Sequence, residues 1–424
     1  MPSRLSRPPR GETGEARSRK PLWRRPAVWV AALAVLVIAA VVVSLVVRGG
    51  GGKPQPAKTQ PPPPKPTGRY LVSPNGHGDC VSAPCKTINA AVAKAKATRV
   101  DGAVVEVAGG SYGTQQIQEV KDPAARSTTI TVEPAAGASV TLQSVYLNAA
   151  AVTMRGFTVT GPIKLYTTAV GSGIDKVTTR GGSVFLGSSH SFVTNSSITP
   201  PTDADGIQLK AYSGKNPTDV RIEHNAIGPT HRGPKHVHVD CIQVLGGSDV
   251  AIRYNKLFHC ADEGIIIGSG ASGTVSGTVT IERNDVQLCP TRTADCDGFD
   301  VISIRAPRVI FVHNTVIDGG TVFDVADLTV AANYIENLKT CTGVIESNLL
   351  GTTQCTGLPA SNKRGQLQFV DVNASPPNLT PRDAPAVPGL SKWLGGQFAS
   401  SDINGRKVDP SADTVGAAQA ASVS

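Results

Sequence analysis

Four short phrases carry acids at matching places: DGIQL from Asp205, DCIQV from Asp240, EGIII from Glu263 and DGFDV from Asp297. Laid over one another, they put Asp205, Asp240, Glu263 and Asp297 in one turn column. Gln208, Gln243, Ile266 and Asp300 fall in an outward column, which Asp324 of TVFDV extends. If the phrases are strands stacked about 4.8 Å apart, four carboxylates so placed cannot all ionise freely. The column therefore predicts raised pKa values, or a calcium ion held by Asp205, Asp240, Glu263 and Asp297. His236, His238, Lys210, Asp262 and Asp300 crowd the same stretch. Asp205, Asp240, Glu263, Asp300, His238 and Lys210 are accordingly the catalytic candidates, as groups able to move a proton. The competing reading is structural, because an Asp before Gly is a turn residue whose side chain bonds nearby backbone. His224 and His259 fall on other turns and read as surface or packing residues.

What would position these groups is a repeat. Phrases of the form apolar-x-apolar-x-x-Asn-x-apolar recur, among them VRIEHNAI, VAIRYNKL, VTIERNDV and VIFVHNTV, with asparagines at 195, 225, 255, 284, 314, 333 and 348. The steps between them are mostly about 30 residues and then shorten, as one structural unit with turns of variable length would. The acid-bearing phrases lie between these. Alternation puts Ile207 and Leu209, Ile242 and Val244, Ile265 and Ile267, and Phe299 and Val301 on one face. No repeat can bury that face alone. Coils of parallel strands stacked on one another can, since every backbone group then bonds to the coils above and below. The turn asparagines would stack into a ladder.

Composition agrees with turn-rich β structure. Of 424 residues 40% are hydrophobic, only 17% charged and 4% aromatic, with 44 Gly and 31 Pro, which argues against helical bundles and coiled coils. The net charge of +9 does not imply a nucleic-acid partner. Twelve of the 41 basic residues lie before residue 66, against two of the 32 acidic ones, so 29 bases and 30 acids remain in the rest. Residues 1–26 read as a basic cytoplasmic tail. Ala27 to Val47 is an uncharged apolar run long enough to span a bilayer, and the basic residues before it predict a signal-anchor helix with the C-terminus outside the cell membrane. Residues 48–67, rich in Gly and Pro, read as a stalk, and 68–424 as the folded domain. Eight cysteines in an extracellular domain fit disulfides. Joining sequence neighbours gives Cys80 with Cys85, Cys241 with Cys260, Cys289 with Cys296 and Cys341 with Cys355, one of 105 possible connectivities.

From about residue 69 to 420 the chain resembles the right-handed parallel β-helix proteins of the pectin-lyase-like superfamily, which implies an all-β solenoid of about nine or more coils. Thr87 is placed to N-cap a helix with Ile88, Ala91, Val92 and Ala95 on one face, the helix that covers the first coil in that superfamily. VVEVAGGSYG resembles its first-coil strand and SSDINGRKVDPSADTVGAAQ its closing segment. Locally DADGIQL, HVDCIQV and DEGIIIG resemble three motifs of polygalacturonase-like glycoside hydrolases. Asp205 and Asp240 match the carboxylates that activate water, while Val239 stands at the general acid and Glu263 at the histidine. Polysaccharide lyases share the fold and need a base, for which Lys210, Lys235 and His238 are available. The resemblance implies a surface protein whose partner is a polysaccharide or cell-wall glycan, which it binds and cleaves as hydrolase or lyase. The alternative is a non-catalytic glycan-binding or structural surface protein.

Overall fold

The computed structural model describes residues 68–235, 237–268, 273–386, 401–408 and 413–420. The proposed tail, anchor and stalk, residues 1–67, and His236 lie outside the described residues. Among the described residues no helix is long and apolar enough to cross a membrane. The described residues make one compact unit.

Each turn of the chain contributes short parallel strands to separate stacks. One stack runs Val145–Leu147, Ile163–Leu165, Val184–Leu186, Ile207–Leu209, Ile242–Val244 and Ile265–Ile267. A second includes Gly173–Asp175, Phe192–Thr194, Thr218–Glu223, Gly247–Arg253 and Val275–Glu282. A third includes Thr178–Thr179, Ser197–Ile198, Ala226–Ile227 and Lys256–Cys260. The chain is therefore a parallel β-helix. In the first stack the outer residues of each triplet point inward, so Ile207, Ile242, Ile265 and Ile302 pair in register and are buried. Each such side chain contributes about 1.5–3 kcal/mol when removed from water. Helix Ile88–Thr98 begins where the Thr87 hydroxyl accepts the N–H of Ala90, and Ile88, Ala91, Val92 and Ala95 are buried with Tyr70 and Val105 in the same apolar cluster.

The asparagine ladder is present, with one change of rung. Asn225, Asn255, Asn284, Asn314, Asn333 and Asn348 each donate from Nδ2 to the Oδ1 of the next, at 2.9–3.1 Å, and Asn362 extends the series. Asn195 is not a rung: its amide bonds Asp175, and the N–H of Ser196 takes the Asn225 oxygen. The reason lies in the backbone. The residue before each rung (His224, Tyr254, Arg283, His313, Ala332, Ser347) is in the left-handed region, and in this coil it is Asn195 itself, at φ 51°.

A second correction concerns DGFDV. The register pairs Ile265 with Ile302 and Ile267 with Ile304, three residues beyond the alignment by motif, so Ser303 and not Asp300 lies beside Ile266. Val322 follows in that column, while Asp324 lies beside Arg305. Phe299 is thereby ejected from the interior and is 69% exposed, although Val301 is buried. The loop 289–299, closed by a disulfide, lengthens the approach to this strand. All four disulfides join the expected partners.

Residues 401–408 and 413–420 pack against the coils. Arg283 pairs with Asp413 in a buried ion pair, the N–H of Ala417 donates to Thr315 Oγ1 and that of Gly416 to the Ala332 carbonyl.

Candidate functional site

Asp205, Asp240 and Glu263 each stand two residues before one of the in-register isoleucines Ile207, Ile242 and Ile265, so the fold stacks them at one mouth of the first sheet. The corrected register puts Asp300, two before Ile302, in the fourth position that Asp297 holds in the motif alignment. Asp297 sits three residues earlier and pairs with Arg232, which also holds Asp262. Asp300 pairs with Lys339. Sequence reasoning did not single out Arg232 and Lys339, because each reaches its acid from a different coil.

The carboxylates are joined to one another through backbone. Asp205 accepts the N–H of Asp240 at 3.0 Å and the amide of Gln208 at 3.0 Å. Asp240 repeats the pattern one coil on, accepting the N–H of Glu263 at 3.1 Å and the amide of Gln243 at 3.0 Å. Gln208 in turn donates to Gln243 at 2.7 Å. Burial pushes the carboxyls of Asp205 and Asp240 upward from the ordinary aspartate range.

His238 lies across the middle of this column. Its Nδ1 is 3.1 Å from Asp240 and its Nε2 2.7 Å from Glu263. Bonds to Asp240 and Glu263 hold its pKa up at about 10. Asp240 has no exposed side-chain surface, Glu263 14% and His238 47%. Only His238 and Glu263 of the three can therefore touch a bound molecule; Asp240 orients the imidazole. Their ligating atoms lie within 4.8 Å of one another, the one such group among the described residues. One imidazole and two carboxylates suit a transition ion better than calcium, whose shell is oxygen. Asp205 accepts the N–H of Asp240 and Asp297 pairs with Arg232, and neither belongs to this group.

Two concavities flank the column. The smaller, of about 300 Å³, is lined by Arg232, His238, Glu263, Asp297, Phe299 and Asp300. The larger, of about 500 Å³, includes Asp205, Gln208 and Lys210 and extends over Lys164, Tyr166, Phe185 and Tyr212. That aromatic group went unremarked in the sequence, and only part of its signal is there: IKL and VFL set Lys164 and Phe185 between inward aliphatics, while Tyr166 and Tyr212 lie outside such triplets. Lys235 contributes only its backbone N–H, which donates to Asp203 at 3.4 Å.

A family model described as a right handed beta helix region matches residues 145–339. No curated protein matches the chain. Among solved structures the chain is similar to pectate lyase Pel9A, at 13% identity over 83% of this chain and 96% of that one, with a TM-score of 0.44. It is similar to a rhamnogalacturonan lyase at 13% identity, over 70% and 86%, with a TM-score of 0.41. A third is PfbA, a surface adhesin of Streptococcus pneumoniae, at 13% identity over 72% and 98%, with a TM-score of 0.37.

Proposed function

We propose that this right-handed parallel β-helix binds a polysaccharide along its first sheet and cleaves it beside the acid column. One observation carries the reading. The outward residues Tyr146, Lys164, Phe185, Gln208, Gln243 and Ile266 stack in register over six coils, a polar and aromatic track beside Asp205 and Glu263. Six coils extend about 24 Å at the usual strand spacing, a length that suits a chain ligand. In this reading His238 and Glu263 face the substrate, Asp240 is a positioning residue, and Asp205 with Lys210 lines the adjoining groove. At neutral pH His238 is a cation, able to meet negative charge on the sugar.

One observation favours the alternative of glycan binding without cleavage: both ring nitrogens of His238 already face carboxylates, which leaves it no free proton-accepting site. Product chemistry separates the two. The purified full-length protein, incubated with uronic-acid and neutral polysaccharides, should release unsaturated uronate absorbance if it is a lyase and new reducing ends without that absorbance if it is a hydrolase. Retardation in glycan-containing gels with neither product would establish binding alone, and no response to any polysaccharide would overturn the proposal.

We propose also that the domain is extracellular and held to the cell membrane by residues 27–47. The uninterrupted apolar run and the basic residues preceding it support this, as do four disulfides, which persist in oxidising compartments. Protease added to intact cells should degrade the domain and spare an N-terminal stub. A mature domain in the medium starting near Gly49 would show a cleaved signal instead.

A further inference from the structure

We infer that the larger groove, lined by Tyr166, Phe185 and Tyr212 with Lys164 and Lys210, is a separate subsite that grips acidic sugar units of the chain, carboxylate-bearing rather than neutral. The inference rests on the polysaccharide reading and adds to it the substrate class and the residues that select it.

Four rings gather on the solvent side of the first sheet although nothing in the apolar interior requires them. Tyr166 lies 6.4 Å from Tyr146, 6.4 Å from Phe185 and 5.0 Å from Tyr212, centroid to centroid, and Phe185 lies 5.8 Å from Tyr212. Tyr212 is 41% exposed. It is nevertheless fixed, because Tyr212 and Lys215 exchange both backbone hydrogen bonds around Ser213 and Gly214, each at positive φ, the geometry of a tight two-residue turn. Gly187 keeps the rings close: a Cβ there would stand 2.9 Å from the Phe185 ring and 3.0 Å from Tyr212 Cβ. Three of these rings, Tyr166, Phe185 and Tyr212, partly exposed, line a concavity of about 500 Å³, which has the make-up of a ligand site, with large apolar surfaces and few polar groups. Sugar rings present C–H faces that such surfaces can cover.

The charges choose among sugars. Lys164 Nζ lies 5.9 Å from the Tyr146 centroid and Lys210 Nζ 5.8 Å from that of Phe185. Among the described residues neither ammonium group is in an ion pair with a carboxylate. The two acids of the groove are already engaged, Asp203 by the N–H of Gly233 at 2.7 Å and Asp205 by the N–H of Asp240. The groove thus sets two cations over aromatic faces, while its two acids are held by backbone N–H groups and Lys210 acts on Asp205, an arrangement whose cations reach a chain carrying acid groups on its sugars.

The test measures binding of the full-length protein to alginate and to carboxyl-reduced alginate, in which the same chain is neutral. The wild type should bind the acidic polymer at least tenfold more tightly, and salt should erase most of that preference. The double variant Lys164→Met, Lys210→Met keeps the apolar stems and should lose the preference while retaining the weak binding of the neutral polymer. Tyr212→Ala, at an exposed turn, should weaken both, with an unchanged melt showing that the fold is intact. If the wild type binds both polymers equally, or the double variant keeps its preference, the acidic subsite is refuted and the polysaccharide reading stands. If neither alginate nor any other polysaccharide is bound, both fall together.

Discussion

The carboxylate of Asp205 accepts the backbone N–H of Asp240 from the next coil, at 3.0 Å. Asp240 does the same for the N–H of Glu263, so two of the acids that look like a charge cluster in the sequence are also ties between coils, closing backbone donors at the entrance to a strand. The structural and chemical roles of this column are separable by substitution. Asp205→Ala leaves the Asp240 N–H without an acceptor and should lower stability by about 1–3 kcal/mol. Asp205→Asn keeps an acceptor oxygen and should change stability by less than about 1 kcal/mol. Chemical denaturation of the three proteins measures both.

The ladder predicts a contrast between two asparagines that look alike in sequence. Asn255 accepts from the N–H and side chain of Asn225 and donates to Asn284 and to the Ile222 carbonyl, all buried. Asn255→Ala orphans these partners and should cost on the order of 3 kcal/mol. Asn195→Gly keeps the left-handed backbone and loses one side-chain bond, so its cost should stay near 1 kcal/mol. Equal melting temperatures for the two variants would contradict the rung assignment.

His238 should make the protein less stable as the medium turns alkaline. Its pKa rises from 6.5 to about 10 on folding, chiefly through its bonds to Asp240 and Glu263. The folded state therefore holds the extra proton across that interval. The stabilisation is complete below about pH 6.5 and is lost as pH climbs through about 10. The raised carboxyl of Asp240 acts in the same direction, since a folded state that prefers the protonated acid loses stability as the pH rises past its ordinary range. His238→Gln should melt lower than the wild type at pH 6 and converge with it by about pH 10.

Calcium should leave the fold indifferent. Asp297 is committed to Arg232 and Asp205 to the backbone, and the remaining pair is bridged by an imidazole. Melting temperatures with millimolar calcium and with chelator should agree; a ligand at a hundredfold its dissociation constant would stabilise by about 2.7 kcal/mol and be plainly visible.

How much of this was legible beforehand differs from residue to residue. Asn225 to Asn348 announce the coil because a stacked turn needs the same amide at each level, and Ile207, Ile242 and Ile265 announce the inward face because strands alternate with period two. Joining neighbouring cysteines was the simplest of 105 connectivities, and the structure selects it. Asn195 misled because the ladder is set by which residue takes the left-handed conformation, a backbone property that the spelling FVTNSS leaves open. Phe299 misled because a motif match cannot register a change of three residues in loop length.

The sequence by itself therefore determined the repeat, the parallel strands and the set of acids at their entrances, all consequences of local periodicity repeated along the chain. Only the tertiary structure decided that Asp300 takes the place of Asp297, that Arg232 and Lys339 claim those two acids, and that His238 lies between Asp240 and Glu263. It also decided that Tyr166, Phe185 and Tyr212 line one groove, with Tyr146 beside Tyr166. Residues on neighbouring coils are about 4.8 Å apart in space but fourteen or more apart in sequence. Which of them meet is set by the register and loop length of every intervening turn, and short-range pattern carries little information about either.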